Sequence, residues 1–375
     1  RHGVRDRGGQ RAGDGMTALA PGADALLEPV VDDLSLYVRG GRLRSSAEVI
    51  PDAVEAERLG LARLWLSERY DLKEAGALLG GMAARTSRLK LGTAALFPGS
   101  RNVMLTAALG ATMHSAYGPR FTLGLGRSMG AYVQNANLRA ISFAELVDYA
   151  DIVRRLWRGE SVDYDGPIGS FKQLHMADTY DGPAPEIYSV MLGGPKASKV
   201  AASPLFDGAY LQPFLTVEAV ANAVGWIRQE CERIGRDPAT MRIVAPMVSA
   251  PELPDDRARA YLHARMVTYI GQPGMVETYA RLNGWDPRLA DPVRHHDLFR
   301  HDPDRIDHHF HREDLMEVAK LVPDEWMYET SLAGSVADCV ARMRAYKAAG
   351  IDEICFYGST PAENAALIGA WRQEA

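Results

Sequence analysis

The chain has 375 residues, 47% of them hydrophobic, a formal net charge of -6 and three cysteines. That apolar fraction suffices for a sizeable core, and the acidic balance leaves no basic footprint for nucleic acid or an anionic membrane surface. No apolar run is long enough to span a bilayer. Cys231, Cys339 and Cys355 form no CxxC pair, so packed thiols in a reducing, cytoplasmic setting are expected rather than a disulfide scaffold.

Residues 1–30 read as an extension outside the fold. The segment to Gly15 is rich in Gly and Arg without apolar periodicity, and Met16 is a candidate start. Pro21, Gly22 and Asp24 interrupt what a secretory signal would need as an unbroken apolar core. From Asp33 onward short apolar strands alternate with amphipathic helices. Residues 34–38 read as a strand, followed by a helical pattern through Ala47, Val54 and Leu59; 61–66 is a strand and 73–85 a helix. Residues 89–96 precede a helix at 103–117, and 120–126 lead toward a long helix at 143–157. In that helix Phe143, Leu146, Tyr149, Ile152, Val153, Leu156 and Trp157 recur at helical spacing, which predicts core or subunit packing.

Four more strands follow at 186–191, 208–212, 241–248 and 353–357, interrupted by polar excursions at 159–184 and 283–312. Eight runs buried on both faces and separated by helices imply a parallel sheet. Without a doubly wound fingerprint they favour an α/β fold closed as a (β/α)8 TIM barrel, a single domain over residues 31–375. Its interior is expected to hold Val, Ile and Leu, with chemistry at the C-terminal mouth and the two excursions as lids.

The residues just after the strands are consistent with that mouth. Leu192-Gly193-Gly194-Pro195-Lys196 joins a strand to a helix: glycines let the backbone approach a ligand, Pro195 fits the first helical position, and Lys196 adds charge. Unpaired N–H groups at a helix start favour a phosphate, although an ordinary strand-to-helix turn would read the same way in isolation. Ser67-Glu68-Arg69, Thr93-Ala94-Ala95, Gly124-Leu125-Gly126-Arg127 and Gln212 occupy the same rim, where a flat ligand would lie. Gly124-x-Gly126 lacks the third glycine of a dinucleotide fingerprint.

"GLARLWLSERYDLKE", "RLKLGTAALFPGSRN", "YGPRFTLGLGRSMG", "FAELVDYADIVRRLWRGESVDYDG", "IYSVMLGGPKASKVAASPLFDGAYL" and "AAGIDEICFYG" together resemble the luciferase-like monooxygenase superfamily, in particular its deazaflavin (coenzyme F420)-dependent oxidoreductases. The resemblance implies a hydride transfer between coenzyme F420 and a small organic substrate, and a homodimer. It further implies a cis peptide at Ala94-Ala95 beneath the ring system, with the cofactor phosphate at Gly193 and Gly194, beside Pro195 and Lys196. Ser67, Glu68, Thr93, Gly126 and Arg127 would lie near the ring and its ribityl chain. Several deazaflavin enzymes follow the acidic residue with histidine, whereas this chain has Glu68 followed by Arg69. Arginine stays protonated, so Arg69 suits electrostatic stabilisation and proton handling would pass to Glu68, Tyr70 or water; a rim ion pair is the plainer reading of the two. Two alternatives stand beside this one: a reduced-flavin (FMN)-dependent monooxygenase, and a non-catalytic flavin-binding protein.

His295, His296, His301, His308, His309 and His311 crowd the second excursion beside Asp297, Asp302, Asp304 and Asp307. No helix-borne HExxH or paired CxxC fixes a geometry, so a polar lid is expected there and no metal site. His114 and His175 read as local hydrogen-bonding residues.

Overall fold

The computed structural model describes residues 26–42, 45–69, 73–128, 137–299 and 306–374. Most of the expected N-terminal extension, Tyr70, His301, Asp302 and Asp304 lie outside the described residues.

Strands β1 (Val31–Tyr37), β2 (Leu61–Leu66), β3 (Lys90–Thr93) and β4 (Phe121–Leu125) are separated by helices α1 (Val49–Arg58), α2 (Ala75–Ala83) and α3 (Val103–Tyr117). Helix α4 (Phe143–Trp157) leads to an antiparallel hairpin, β5 (Val162–Gly166) and β6 (Gly169–Leu174). Strand β7 (Glu186–Val190), α5 (Pro195–Ala201), β8 (Gly208–Tyr210), α6 (Val217–Arg233) and β9 (Arg242–Pro251) continue the alternation. Helices α7 (Asp255–Ile270), α8 (Met275–Asn283) and α9 (Asp324–Thr330) precede β10 (Ser331–Gly334), α10 (Val336–Ala348), β11 (Glu353–Tyr357) and α11 (Ala365–Arg372).

The sheet runs β11-β1-β2-β3-β4-β7-β8-β9, and β9 pairs back onto β11, closing eight parallel strands into a barrel. All eight strands expected from the sequence are present in that ring. Two features were not foreseen. The excursion at 159–184 carries the β5–β6 hairpin, whose alternation is too polar to show as a strand pattern, and β10 runs parallel to the second half of the ten-residue β9. Local capping explains where the helices begin. Ser142 and Glu145 form a capping box at the start of α4, and Glu74 accepts from the N–H groups of Gly76 and Ala77 to open α2. Lys73, expected in that helix, instead pairs through its backbone with Arg69.

The expectation of a Val, Ile and Leu interior needs correction at the N-terminal end of the barrel. Glu353 is 1% exposed there and accepts from Trp65 Nε1 and Arg242 Nε, each at 3.0 Å. The Arg63 guanidinium lies 5.0 Å from the Trp65 ring centroid and 5.3 Å from that of Tyr188. Broad aromatic rings fill the barrel floor, and the buried charges are compensated within it.

The described residues of the second excursion form short helical turns, with Val293, Phe299 and Ile306 buried. Arg312 at its end donates to the carbonyls of Gly358 (3.3 Å) and Gly40 (3.2 Å), just beyond β11 and β1. Among the described residues, no group of three or more His, Cys, Asp or Glu side chains is arranged to hold a metal ion. Within the same residues no helix is long and apolar enough to cross a membrane. The three cysteines are buried and unpaired with one another.

Candidate functional site

The strand ends converge on an open cleft of about 950 Å³ at the C-terminal mouth. Ser67, Glu68 and Arg69 reach it from the end of β2, Ala94 and Ala95 from the end of β3, and Gly126 from the end of β4. The Ala94–Ala95 peptide is cis. The segment around it is laced to both neighbouring strands: Ala94 N–H donates to Leu66, Leu96 N–H to Gly124, Gly126 N–H to Leu96, and Glu68 N–H to Ala95 at 3.1 Å. A Cβ on Gly126 would stand 2.8 Å from that of Ala95, so this floor admits only glycine opposite the alanine.

Glu68 is held from the side. Arg101 Nη1 donates to both its carboxylate oxygens, at 3.0 and 3.2 Å, and reaches Glu74 at 2.8 Å. Burial pushes the Glu68 carboxyl above its ordinary range, with the Arg101 charge opposing that push. Arg69 is 5% exposed and lines the same cleft.

The other wall is aromatic and was not anticipated. Tyr37, Tyr210 and Tyr357 stand at the ends of β1, β8 and β11, while α7 supplies Arg265, Thr268 and Tyr269. Arg265 Nε donates to the Tyr357 hydroxyl at 2.8 Å, and its guanidinium lies 4.9 Å from the Tyr269 ring centroid. Burial holds the Tyr357 phenol well above its ordinary value, so it remains protonated and able to donate. An aromatic ending a buried strand was the one available signal for these residues; nothing local marks a helix that folds back across a barrel mouth.

The cleft does not end there. Ala95, Gly126, Val190 and Gln212 also line a second compartment, with Arg127 and Phe143. Phe143, Leu192 and Ala197 are shared in turn with a third, lined by Gly194, Pro195 and Lys196. A single trough therefore runs from Glu68 to the start of α5. Phe143, expected in core or subunit packing, is half-buried on this trough with the Arg127 guanidinium 3.8 Å from its ring centroid.

Two expected site residues are placed differently from the rest. Thr93 is fully buried and lines none of these compartments: its hydroxyl donates to Gly124 O and accepts from Gly124 N–H, both at 2.9 Å, tying β3 to β4. Gly193 is buried behind the trough with φ +90, leaving Gly194 as the glycine that faces it. A Cβ on Gly194 would meet no protein atom within 4 Å and would project into the open space. His114 sits between Phe121 N–H, which donates to Nε2 at 3.2 Å, and the Pro183 carbonyl at 3.0 Å from Nδ1, a structural tie to the first excursion.

Comparison with known proteins agrees with this architecture. The chain is 24% identical to a 5,10-methylenetetrahydromethanopterin reductase of Archaeoglobus fulgidus, over 80% of this chain and 86% of that protein. It is 32% identical to an F420-dependent glucose-6-phosphate dehydrogenase of Mycobacterium avium over a shorter stretch, 41% of this chain and 50% of that protein. The solved coenzyme F420 dependent tetrahydromethanopterin reductase of Methanopyrus kandleri superposes with a TM-score of 0.75, covering 91% of this chain and 97% of its own at 17% identity, a likeness of fold. Residues 36–353 match the model of the luciferase-like monooxygenase family, and the chain belongs to that family.

Proposed function

We propose that this protein is a coenzyme F420-dependent oxidoreductase acting on a small organic substrate. The observation that carries the reading is the continuous trough from the Glu68–Arg69 end, over the Ala94–Ala95 floor, to Gly194 and Lys196. Its shape fits a flat ring system at one end and a phosphate at the other, and Gly194 leaves open the space a side chain would fill. The F420 dependence in the names of the Mycobacterium avium and Methanopyrus kandleri enzymes supports the same reading.

When bound, the deazaflavin supplies or accepts a hydride, a chemistry the protein itself lacks. The chain's own residues orient, exclude water and manage protons. The backbone of 94–96 forms the floor, and the half-buried Phe143 and Val190 narrow the passage toward the phosphate end. Glu68, its carboxyl raised by burial against the opposing Arg101 charge, is the residue fitted to hold and release a proton at Oε1 or Oε2. The Arg69 guanidinium, on the wall of the cleft, stabilises negative charge at the ring end. On the facing wall the protonated Tyr357 hydroxyl, receiving a hydrogen bond from Arg265, is placed to donate to a substrate oxygen.

We extend the proposal to a homodimer in the cytoplasm. Leu105 on α3 is 60% exposed, an apolar side chain suited to a subunit contact, and three unpaired thiols suit a reducing compartment. Titration of the purified protein with coenzyme F420 and with FMN, followed by fluorescence, tests the function. Tighter deazaflavin binding is expected. FMN binding with oxygen consumption would point instead to a flavin monooxygenase, and sedimentation velocity reads the dimer directly.

A further inference from the structure

One guanidinium stands between two carboxylates at the edge of the cleft. Arg69 and Lys73 pair through their backbones, N–H to carbonyl at 2.9 and 2.8 Å, and this short bridge brings the residues on either side of it, Glu68 and Glu74, to the same arginine. Arg101 Nη1 donates to Glu68 Oε1 and Oε2 and to Glu74 Oε1, at 3.0, 3.2 and 2.8 Å. That nitrogen carries two hydrogens for three oxygens, so Glu68 receives less than the two-nitrogen fork that holds a carboxylate most strongly. The shortest of the three contacts goes to Glu74.

The surroundings of the two acids push them apart. The Glu74 side chain is 55% exposed at the start of α2, where it accepts from Gly76 and Ala77 N–H at 3.1 and 2.6 Å. Against the cost of partial burial, Arg101 and these N–H groups hold its carboxyl below the ordinary range. Glu68 is 6% exposed, and burial pushes its carboxyl the other way, with the Glu74 charge adding to that push and Arg101 opposing it. Two carboxylates around one cation leave room for one proton, and acids separated in this way sort into a fixed anion and a proton carrier. Glu74 is the anion and Glu68 the carrier. Three further titratable groups lie nearby: Arg69, next in the chain; Lys73, which donates to the Arg39 carbonyl at 3.2 Å; and Tyr149 on α4, which burial keeps protonated.

We propose that Glu74, outside the cleft, is a positioning residue for its chemistry: by taking a share of Arg101, it leaves Glu68 able to carry a proton at the ring end. The use of that proton in catalysis rests on the deazaflavin reading above. Glu74 is exposed at a helix start, so its replacement should leave the fold intact, as circular dichroism would verify.

The test is an infrared pH titration of the cofactor-free protein, reading the protonated-carboxyl band that Glu68→Gln removes. Glu74→Gln keeps the side-chain length and an oxygen for the α2 N–H groups but loses the negative charge, so Arg101 turns wholly to Glu68. The midpoint of the Glu68 band should then fall by about one pH unit. Glu74→Asp keeps a carboxylate at the helix start and should retain most of the parental midpoint. An unchanged midpoint in Glu74→Gln would overturn the proposal. Equal shifts in the Gln and Asp variants would overturn it too, because they would trace the effect to the start of α2 rather than to the charge. So would a parent band from which Glu68→Gln removes nothing. The titration needs no cofactor, so it can fail while a deazaflavin binds, and the deazaflavin reading can fail while the effect of Glu74 on Glu68 holds.

Discussion

Arg101 Nη1 bridges both carboxylate oxygens of Glu68, at 3.0 and 3.2 Å, from a helix-entry loop behind the cleft. The pair is what permits a nearly buried carboxylate, 6% exposed, at the mouth of the barrel. Burial alone would drive Glu68 to its neutral form, and Arg101 offsets that pressure in part.

Arg101→Ala should therefore destabilise the protein by about 2 kcal/mol at neutral pH, because it strands a buried carboxylate. The loss should depend on pH with a definite sign. Glu68 has a raised folded pKa, and removing Arg101 raises it further. The stability linked to such a group is fully present below its unfolded value, roughly 4.3, and is lost as pH rises through the folded one. Parent and variant should thus differ little near pH 4 and most near pH 8 in urea titrations. A gap of equal size at both values would mean that the pair contributes through packing rather than charge.

The two adjacent glycines should separate into a fold residue and a ligand residue. Gly193 has φ +90, and its Cβ would stand 3.2 Å from Leu215 Cδ1, so Gly193→Ala should cost about 1–2 kcal/mol. Gly194 has φ -80 with open space around it, so Gly194→Ala should hold or raise stability by up to about 1 kcal/mol. Gly194→Asp places a carboxylate in the basic trough and should weaken a phosphate-bearing ligand about tenfold or more. Thermal melts and ligand titrations on the three variants check the separation; an Asp variant with parental affinity would remove Gly194 from the site.

At the opposite end of the barrel, Glu353 neutralises Arg63 and Arg242 and accepts from Trp65. The two guanidinium groups hold its carboxyl below the ordinary range despite complete burial. Glu353→Gln keeps the shape but leaves the buried Arg63 with only the half-exposed Glu186, 3.1 Å from its Nη2, as a carboxylate partner, which should cost about 2–3 kcal/mol. Ligand affinity at the mouth should be little changed in the folded fraction. A variant as stable as the parent would show that Glu186 alone compensates Arg63.

The barrel was legible in the sequence because each of its eight parallel strands is buried on both faces and reads as an apolar run bounded by turn residues. The residues at the ends of β2 to β4 and at the start of α5 were legible for the same reason, since strand ends define the mouth. What stayed hidden depends on tertiary placement. Arg265 and Tyr269 sit on a helix whose pattern records only that one face is buried, not that it covers the cleft. Phe143 shares the helical spacing of true core residues such as Leu146 and Tyr149, yet lies one turn too early to be covered. Thr93 sits at a rim position but turns into the sheet to satisfy Gly124, a hydrogen-bond demand that no local motif announces.

The last prediction concerns how α7 is held across the mouth. His263 on α7 is 2% exposed, and its Nε2 lies 2.7 Å from Asp324 Oδ1 on α9. Burial, joined by the nearby Arg259 charge, lowers the imidazole pKa, and Asp324 only partly opposes them. A depressed pKa means that the neutral ring's contribution is complete above the unfolded value, roughly 6.5, and is lost as pH falls through the lower folded value. Acid should therefore loosen the α7–α9 contact as pH falls below about 6.5. Hydrogen exchange should report it as faster opening of α7, which carries Arg265, Thr268 and Tyr269. His263→Gln retains a donor toward Asp324 without a titrating ring, so it should flatten the pH dependence across that interval even if its stability at pH 8 is somewhat lower. An unchanged slope in the variant would assign the acid sensitivity to another group.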